Sequence, residues 1–153
     1  SPGLGLGRDP ERTPMRWDAS AHAGFSPPDA DPWLPVGASA RVQNVAIQRK
    51  DDASMLRFLR RTLQLRTKYE ALRRGACRTH DAPDAVLLYE RTGEADRFFV
   101  ALNFSSSMQA VALPHPAQRL LSTRMDTADG SVETQVSLRA NEGVLLRAEA
   151  DRL

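Results

Sequence analysis

The sequence predicts an α+β chain, in which a long irregular segment and one helix precede a region of short antiparallel strands. Three observations predict this class: prolines recur through residues 1–50, an amphipathic helical pattern follows, and short β-patterned runs with turn signals fill the rest. The 153 residues are 41% hydrophobic and 26% charged, as in ordinary globular proteins. No apolar run reaches the roughly 20 residues that a membrane span requires, so we expect no membrane partner.

The first fifty residues are predicted to be loop. Seven prolines each remove a backbone donor and fix φ, which prevents a long helix or a central strand; they are Pro2, Pro10, Pro14, Pro27, Pro28, Pro32 and Pro35. The segment also carries Trp17, Phe25 and Trp33, which are costly to leave in water. We therefore expect this loop to lie on a protein surface, which need not belong to this chain.

One helix is predicted over residues 52–72. Asp51 or Asp52 is expected to cap its start, and Gly75 to end it in the left-handed conformation. Apolar side chains recur at spacings of three and four, with arginines elsewhere on the helix; the apolar stripe is Met55, Leu56, Leu59 and Leu63, widened by Phe58, Leu65 and Tyr69.

The remainder is predicted to be β. Runs at 86–91 and 97–104 flank a hairpin loop at 92–96, and further strands fit 109–113, 119–122, 132–138 and 144–147. Turn signals separate them at 105–107, at Pro114-His115-Pro116 and at 129–130. Alternation places Phe98 and Phe104 on one face, which we interpret as core. Strands of this length and spacing are typical of a small antiparallel β-sandwich.

Charge and composition exclude several other classes. The formal net charge is only +2, and the basic residues between Arg49 and Arg74 are interrupted by acids and lack interleaved aromatic residues, so no nucleic-acid partner is predicted. The single Cys77 excludes an internal disulfide and fits a reducing, cytoplasmic location; we expect it to be half-buried after the helix. His22, His80 and His115 lack metal-ligand spacing and are interpreted as surface residues, so neither a metal nor a cofactor is predicted.

The most informative segment joins two arginines, two acids and a tryptophan in a stretch with no helical or strand periodicity. It reads Gly7-Arg8-Asp9-Pro10-Glu11-Arg12-Thr13-Pro14-Met15-Arg16-Trp17-Asp18 and is followed by Ala23-Gly24-Phe25, Pro32-Trp33-Leu34-Pro35 and Asn44-Val45-Ala46. This series resembles the long loop after the eighth barrel strand of α-glucosidases and oligo-1,6-glucosidases in the α-amylase family of glycoside hydrolases. The helix from Ser54 to Arg66 is similar to the eighth barrel helix, and Ala101-Leu102-Asn103-Phe104-Ser105 to a strand of the C-terminal β-domain.

The resemblance implies a division of the chain. Residues 1–75 correspond to the end of a catalytic (β/α)8 barrel, and residues 76–153 to the C-terminal antiparallel β-domain. Family members are retaining glycosidases whose catalytic aspartates and glutamate lie on earlier barrel strands. We therefore expect no catalytic residue here, and an inactive chain without the rest of the barrel. The implied substrate of the parent is an oligosaccharide with a terminal α-linked glucose.

The resemblance also assigns two substrate-binding residues. Arg12 stands where the family has an arginine that reaches the glucose pocket, and Arg8 resembles an arginine near the adjoining subsite. A guanidinium suits this work because its planar fork of donors binds a carboxylate and a hydroxyl together. The competing interpretation is that both arginines tie the loop to itself through Asp9, Glu11 and Asp18, since the two aspartates also read as turn formers.

The loop also carries three large aromatic residues, and its sequence departs from the family's at two positions. Trp17, Phe25 and Trp33 are interpreted as anchors of the loop in preference to stacking platforms for sugar rings. Arg16 stands where glutamine is usual and is expected to point to solvent; His22 stands where asparagine is common.

Alternative functions remain open at this point. A trehalose synthase or a sucrose isomerase shares parts of the loop, and a free-standing β-module would bind carbohydrate or protein without catalysis. The module predicts a cluster of exposed aromatic residues on one sheet face.

Overall fold

The computed structural model describes residues 12–30, 32–126 and 132–149, and the chain divides into two compact units, residues 1–57 and 58–153. In the first unit, short helical turns occur at Ala21–Gly24 and Ala38–Arg41, and helix α1 spans Val45–Gln48. Helix α2 (Met55–Lys68) begins at the end of the first unit and continues into the second. The predicted loop character of the first fifty residues is confirmed over their described part.

The second unit contains helix α3 (Glu70–Arg74) and one antiparallel sheet of six strands. The strands are β1 (Ala76–His80), β2 (Val86–Thr92), β3 (Arg97–Asn103), β4 (Gln109–Ser122), β5 (Val132–Leu138) and β6 (Gly143–Ala148). Their order across the sheet is β1-β2-β3-β6-β4-β5, so β6 lies between β3 and β4. The predicted β2–β3 hairpin is confirmed, with register from Val86↔Asn103 to Thr92↔Arg97. The predicted mixture of helix and antiparallel strand is confirmed with it.

One face of the sheet holds the main core, to which five strands contribute. It consists of Leu88, Phe99, Ala101, Val111, Ala117, Val136, Leu138, Val144 and Leu146. Neighbouring strands lie about 4.8 Å apart, so β2 and β5 in a flat sheet of this order would be roughly 19 Å apart. Because residues of both strands join one cluster, the sheet must bend round its core. The pairing of β4 with β5 shifts register between Ala112 and Ala117, as expected of a strand at a bend.

Strand β3 is buried on both faces. Phe99 and Ala101 point into the main core, whereas Phe98 packs on the opposite face against Tyr69 and Ala71. The Tyr69 and Phe98 ring centroids are 4.9 Å apart. Phe104 lies beyond the end of β3 and is 69% exposed, so its predicted place in the core is wrong.

The helical region differs from the prediction at both ends. The single helix predicted over residues 52–72 is two helices, because Tyr69 has an extended backbone that separates α2 from α3. The start is capped by Ser54, whose Oγ accepts the N–H of Arg57 at 3.3 Å, and by Gln48, whose Oε1 accepts the N–H of Leu56 at 3.0 Å. The predicted aspartate cap is therefore wrong.

Gly75 ends α3 for a reason other than the predicted one. Its φ of −58° is not left-handed. A Cβ at this position would lie 2.5 Å from the Ala71 carbonyl oxygen and 2.6 Å from that of Thr92. Glycine is required because helix and sheet backbones meet here, and a side chain has no room.

Two further differences concern the strands. Pro114-His115-Pro116 lies inside β4 and not in a turn, at the place where the ladder to β5 is interrupted. The prolines account for the interruption, because they have no N–H to donate. Strand β1 was missed because Ala76–His80 lacks an apolar alternation; it is an edge strand, and its Cys77 is exposed and not half-buried.

No helix among the described residues combines the length and apolarity that crossing a bilayer demands.

Candidate functional site

The described part of the informative loop begins at Arg12, which is exposed; Arg8 lies outside the described residues. Pro14 is buried, which fixes the chain two residues after Arg12. Among the described residues, none forms an ion pair with the Arg12 guanidinium. The side chain is thus presented on the surface of the first unit.

Backbone hydrogen bonds hold the following residues from two sides. The first N–H groups of α1 donate outward, Val45 to the Arg16 carbonyl at 3.0 Å and Ala46 to the Trp17 carbonyl at 2.9 Å. On the other side, Trp17 donates to the Ala23 carbonyl at 2.9 Å. These bonds use groups that a helix start and a loop otherwise leave unsatisfied. They fix the path of the loop although it has no regular secondary structure.

Asn44, the N-cap residue of α1, ties the start of this helix to the neighbouring turn. The Asn44 side chain is buried; its Oδ1 accepts the N–H of Ile47 at 2.9 Å, while its Nδ2 donates to the Ala40 carbonyl at 2.8 Å. One carboxamide thereby caps the helix and ties it to the turn at Ala38–Arg41.

A left-handed turn at Ala21–Gly24 closes the other side of the loop. His22, Ala23 and Gly24 have φ values of 52°, 56° and 66°. Non-glycine residues in this region cost of order 1 kcal/mol each and persist where the surroundings enforce them. Here Ala23 is only 2% exposed, its N–H donates to the Ser20 carbonyl at 3.0 Å, and its carbonyl accepts the bond from Trp17.

Asp18 makes this turn possible. Its Oδ1 accepts the backbone N–H of Ser20 at 2.8 Å and the Ser20 hydroxyl, which together lower the pKa of the carboxyl. A Cβ on Gly24 would lie 2.7 Å from Asp18 Oδ2. The interpretation of Asp18 as a turn former is confirmed.

Arg16 is half-buried, and its Nη1 donates to the hydroxyl of Ser39. The expectation that it points to solvent is therefore wrong. This bond joins the loop to the turn at Ala38–Arg41, a role for which the sequence gives no local signal because the partners are 23 residues apart.

The large aromatic residues of the described part of the loop are exposed. Trp33 is 84% exposed, and Trp17 and Phe25 are about half exposed. Met55, Leu59 and Leu63 of the α2 stripe are exposed as well. The three aromatic residues belong to the loop for which the sequence predicted a partner surface.

The histidines are less exposed than predicted, because each of them has a partner. His22 Nδ1 lies 3.0 Å from the Pro27 carbonyl oxygen, and His80 Nε2 lies 2.8 Å from Glu90 Oε2. The ring of His115 stacks on Phe99, with centroids 6.3 Å apart. Among the described residues there is no cluster of three or more histidine, cysteine or acidic side chains that would hold a metal ion.

The most enclosed carboxylate was not identified from the sequence. Glu142 is 1% exposed, and its oxygens accept bonds from Ser122 Oγ at 2.5 Å, from the Arg139 N–H at 2.8 Å and from Arg139 Nη2 at 2.7 Å. Burial would raise the pKa of Glu142, but these hydrogen bonds and the arginine charge outweigh it and lower the pKa to about 2. Its only sequence signal is an Arg and a Glu three residues apart, in the connection between β5 and β6.

Glu90 is the second carboxylate of this kind. Burial would raise its pKa, yet bonds from Thr92 and His80 and the charge of Arg97 produce a net lowering. Both carboxylates are held ionised as hydrogen-bond acceptors, which is the opposite of what a general acid requires.

Comparison with known proteins identifies the family. The model of the α-amylase catalytic domain matches residues 3–75. The chain is 34% identical to the salivary α-glucosidase of Aedes aegypti over 131 residues, which are 85% of this chain and 21% of the relative. It is 29% identical to the oligo-1,6-glucosidase of Parageobacillus thermoglucosidasius over 141 residues, which are 87% of this chain and 24% of the relative. The chain thus spans about a quarter or less of the length of these curated relatives.

A solved structure gives the same result. The trehalulose synthase MutB of Pseudomonas mesoacidophila MX-45 superposes with a TM-score of 0.79 at 28% identity, covering 93% of this chain and 26% of that one. A variant of that enzyme has been crystallised with its substrate sucrose. The sequence of the loop, the fold and the relatives agree: the chain belongs to the α-amylase family and is similar to its α-glucosidases and oligo-1,6-glucosidases.

Proposed function

We propose that this chain is the C-terminal part of a retaining α-glucosidase that hydrolyses terminal α-linked glucose from oligosaccharides. The observation that carries the proposal is the match of residues 3–75 to the α-amylase catalytic domain, in a chain that spans about a quarter of its glucosidase relatives. Residues 1–75 would then complete the catalytic barrel, and residues 76–153 would form the C-terminal β-domain. The bent six-stranded sheet supports a sandwich-like β-domain.

Arg12 is the proposed substrate ligand of this chain. It is exposed, and no described side chain occupies its guanidinium. Asp18, one of the acids that would tie the arginine to its own loop, is engaged by Ser20. An arginine held at the start of a fixed loop can bind a carboxylate and a sugar hydroxyl together. Arg8 would serve the adjoining subsite.

The remainder of the barrel is the proposed partner, and it would supply the catalytic aspartate and glutamate. Retaining hydrolysis needs two carboxyls about 5–5.5 Å apart across the scissile bond. Glu90 and Glu142 cannot form such a pair, because one of its members must be a protonated general acid and the hydrogen bonds of both carboxylates favour the ionised form. The uncovered faces of Trp33 and of the α2 stripe support a packing surface outside this chain. The single exposed thiol of Cys77 fits a cytoplasmic protein.

The first experiment compares two arginine variants in the gene product that carries the sequence upstream of residue 1. Arg12→Ala is expected to lower kcat/KM on a terminal α-glucoside by roughly 10–150-fold, the loss of a charged hydrogen bond. Arg49→Ala changes another exposed cation of the same unit whose side chain has no described partner; it is the matched control and should leave kcat/KM within about twofold. Equal effects of the two variants would contradict the role of Arg12. The absence of an upstream barrel with its carboxylates would overturn the whole assignment and favour a non-catalytic binding module.

Sucrose isomerisation is the second candidate, favoured by the likeness to trehalulose synthase. Product analysis separates it from hydrolysis. With sucrose as substrate, a hydrolase releases equal amounts of glucose and fructose, whereas an isomerase retains both sugars in a new disaccharide.

A further inference from the structure

The first unit contains a hollow of about 440 Å³ beside the left-handed turn. It is lined by residues 19–23 and by a second segment, Val36, Gly37, Ala38, Ala40 and Arg41; the lining side chains are short apart from Val36, His22 and Arg41. Sites for small molecules are commonly hollows of a few hundred Å³ with few polar groups. The volume admits one or two sugar rings.

His22 is one of the residues that line this hollow. Its Nδ1 lies 3.0 Å from the Pro27 carbonyl oxygen and 3.3 Å from the Ser26 hydroxyl, and a carbonyl can only accept, so Nδ1 donates to Pro27. No described residue bonds to Nε2, which in this tautomer is an acceptor. A backbone contact thus fixes the tautomer, as it does for many functional histidines.

Arg41 lines the hollow from the second segment. It is exposed, and no described carboxylate forms an ion pair with it. The lining of the hollow therefore combines an imidazole nitrogen that no described residue binds with a guanidinium. An anion without a proton would accept hydrogen bonds from Arg41 but could not donate one to Nε2. A metal ion could be coordinated by Nε2 but would be repelled by the charge of Arg41. A pair of neighbouring hydroxyls satisfies both groups, since one donates to Nε2 and the other accepts from the guanidinium.

The backbone supports a binding role. His22 is held in the left-handed conformation by the bonds that close Ala23 against Trp17 and Ser20, and strained residues of this kind gather at binding sites. The same Ala23 carbonyl accepts from Trp17 and Asp18, so the wall of the hollow and the loop that follows Arg12 are one hydrogen-bonded unit.

We propose that this hollow is a saccharide subsite, in which His22 accepts from and Arg41 donates to adjacent hydroxyls of a sugar unit. The proposal rests on the proposed function, because it makes the hollow a place for a second part of the same oligosaccharide.

The test uses the full chain, amide chemical-shift mapping, and isomaltose as the probe. Saturable shifts are expected at residues 19–23 and 36–41. His22→Asn, which keeps a residue that tolerates the left-handed backbone, and Arg41→Gln should each raise Kd about tenfold. Arg49→Ala, outside the hollow, should change it less than about twofold. Unchanged amide spectra of residues 45–48, which lie in the same unit but outside the hollow, report that this unit is folded in each variant.

Other results of the same experiments would contradict the proposed subsite. Shifts absent from the hollow, or a Kd that neither variant changes, would overturn the subsite. Saturable binding of sulfate with no binding of isomaltose would assign an anion site at Arg41 instead. Activity of the longer gene product is measured separately, so loss of the subsite and failure of the glucosidase assignment give different results.

Discussion

The two units of this chain are ordered by different means. The unit of residues 58–153 buries two apolar clusters, one on each face of the sheet; Phe99 and Leu146 belong to the main core and Phe98 to the other cluster, and all three are fully buried. Residues 12–57 bury chiefly small or polar residues and leave Trp17, Phe25 and Trp33 uncovered. Hydrogen bonds to carbonyls, a capping asparagine and a left-handed turn define the path of the loop. The β-region is thus stabilised by buried apolar side chains, whereas the path of the loop is set by hydrogen bonds and its aromatic side chains stay exposed.

The largest effect on this difference between the two units is expected from truncating a side chain of the main core. Phe99→Ala is expected to lower the free energy of unfolding of the β-region by about 3–5 kcal/mol, because it leaves a large cavity at a fully buried site. The matched variant is Phe104→Ala at an exposed position, with an expected change below about 0.5 kcal/mol. Urea denaturation followed by circular dichroism measures both. Similar losses would show that the β-region does not depend on this core.

Acid should weaken the β-region through Glu142. Its pKa is about 2 in the folded protein and near 4.5 when unfolded, so the stabilisation is complete above about pH 4.5 and is lost as the pH falls towards 2. The expected loss is up to about 3 kcal/mol, since each pKa unit corresponds to about 1.4 kcal/mol. Denaturation curves across this pH range test it. The Glu142→Gln variant should be less stable at neutral pH, and its free energy of unfolding should fall less as the pH is lowered. The same pH dependence in the variant and the original protein would contradict the role of this carboxylate.

The loop should respond to backbone changes more than to truncation of its exposed side chains. Gly24→Ala is expected to destabilise the left-handed turn by about 2 kcal/mol, because φ is positive and the new methyl group meets the Asp18 carboxylate. Hydrogen exchange of the Trp17 amide, which donates to Ala23, measures the opening. Gly37→Ala is the control, since its nearest neighbour would be at 3.8 Å. Equal protection in the two variants would refute the importance of the turn.

The smallest expected effect concerns the cap of α1. Asn44→Ala removes the bonds to Ile47 and Ala40 and should cost about 1 kcal/mol of local stability. Faster exchange of the Ile47 amide, with no change at Phe99, would confine the effect to the first unit. A loss of protection at Phe99 would show that the two units unfold together.

The sequence predicted what periodicity and turn chemistry encode. The β2–β3 hairpin and strands β5 and β6 follow their alternation, and Asp18 behaves as a turn former. Gly75 was identified as a helix end, but the crowding that requires it comes from Thr92, a contact that no local pattern shows. The separation of α2 from α3 at Tyr69 has no local pattern either, because it accompanies the packing of Tyr69 on Phe98.

The candidate site was predictable only in part. The motif around Arg12 was recognisable because it is a long run of unusual composition. The hollow at His22 and the bond from Arg16 to Ser39 depend on turns that meet across about twenty residues, and the left-handed conformation of Ala23 has no residue signature of its own. The roles of Arg12 and Arg8 stay predictions.

The position of β6 in the middle of the sheet sets the order in which the β-region assembles. Strands β1, β2 and β3 are successive neighbours, so their pairing closes only short loops. Strand β6 pairs with β3 across about forty intervening residues and with β4 on its other edge, so the two halves of the sheet stay separate until it inserts. During synthesis, the meander of β1 to β3 can form early, but the sheet cannot close before its last strand has left the ribosome.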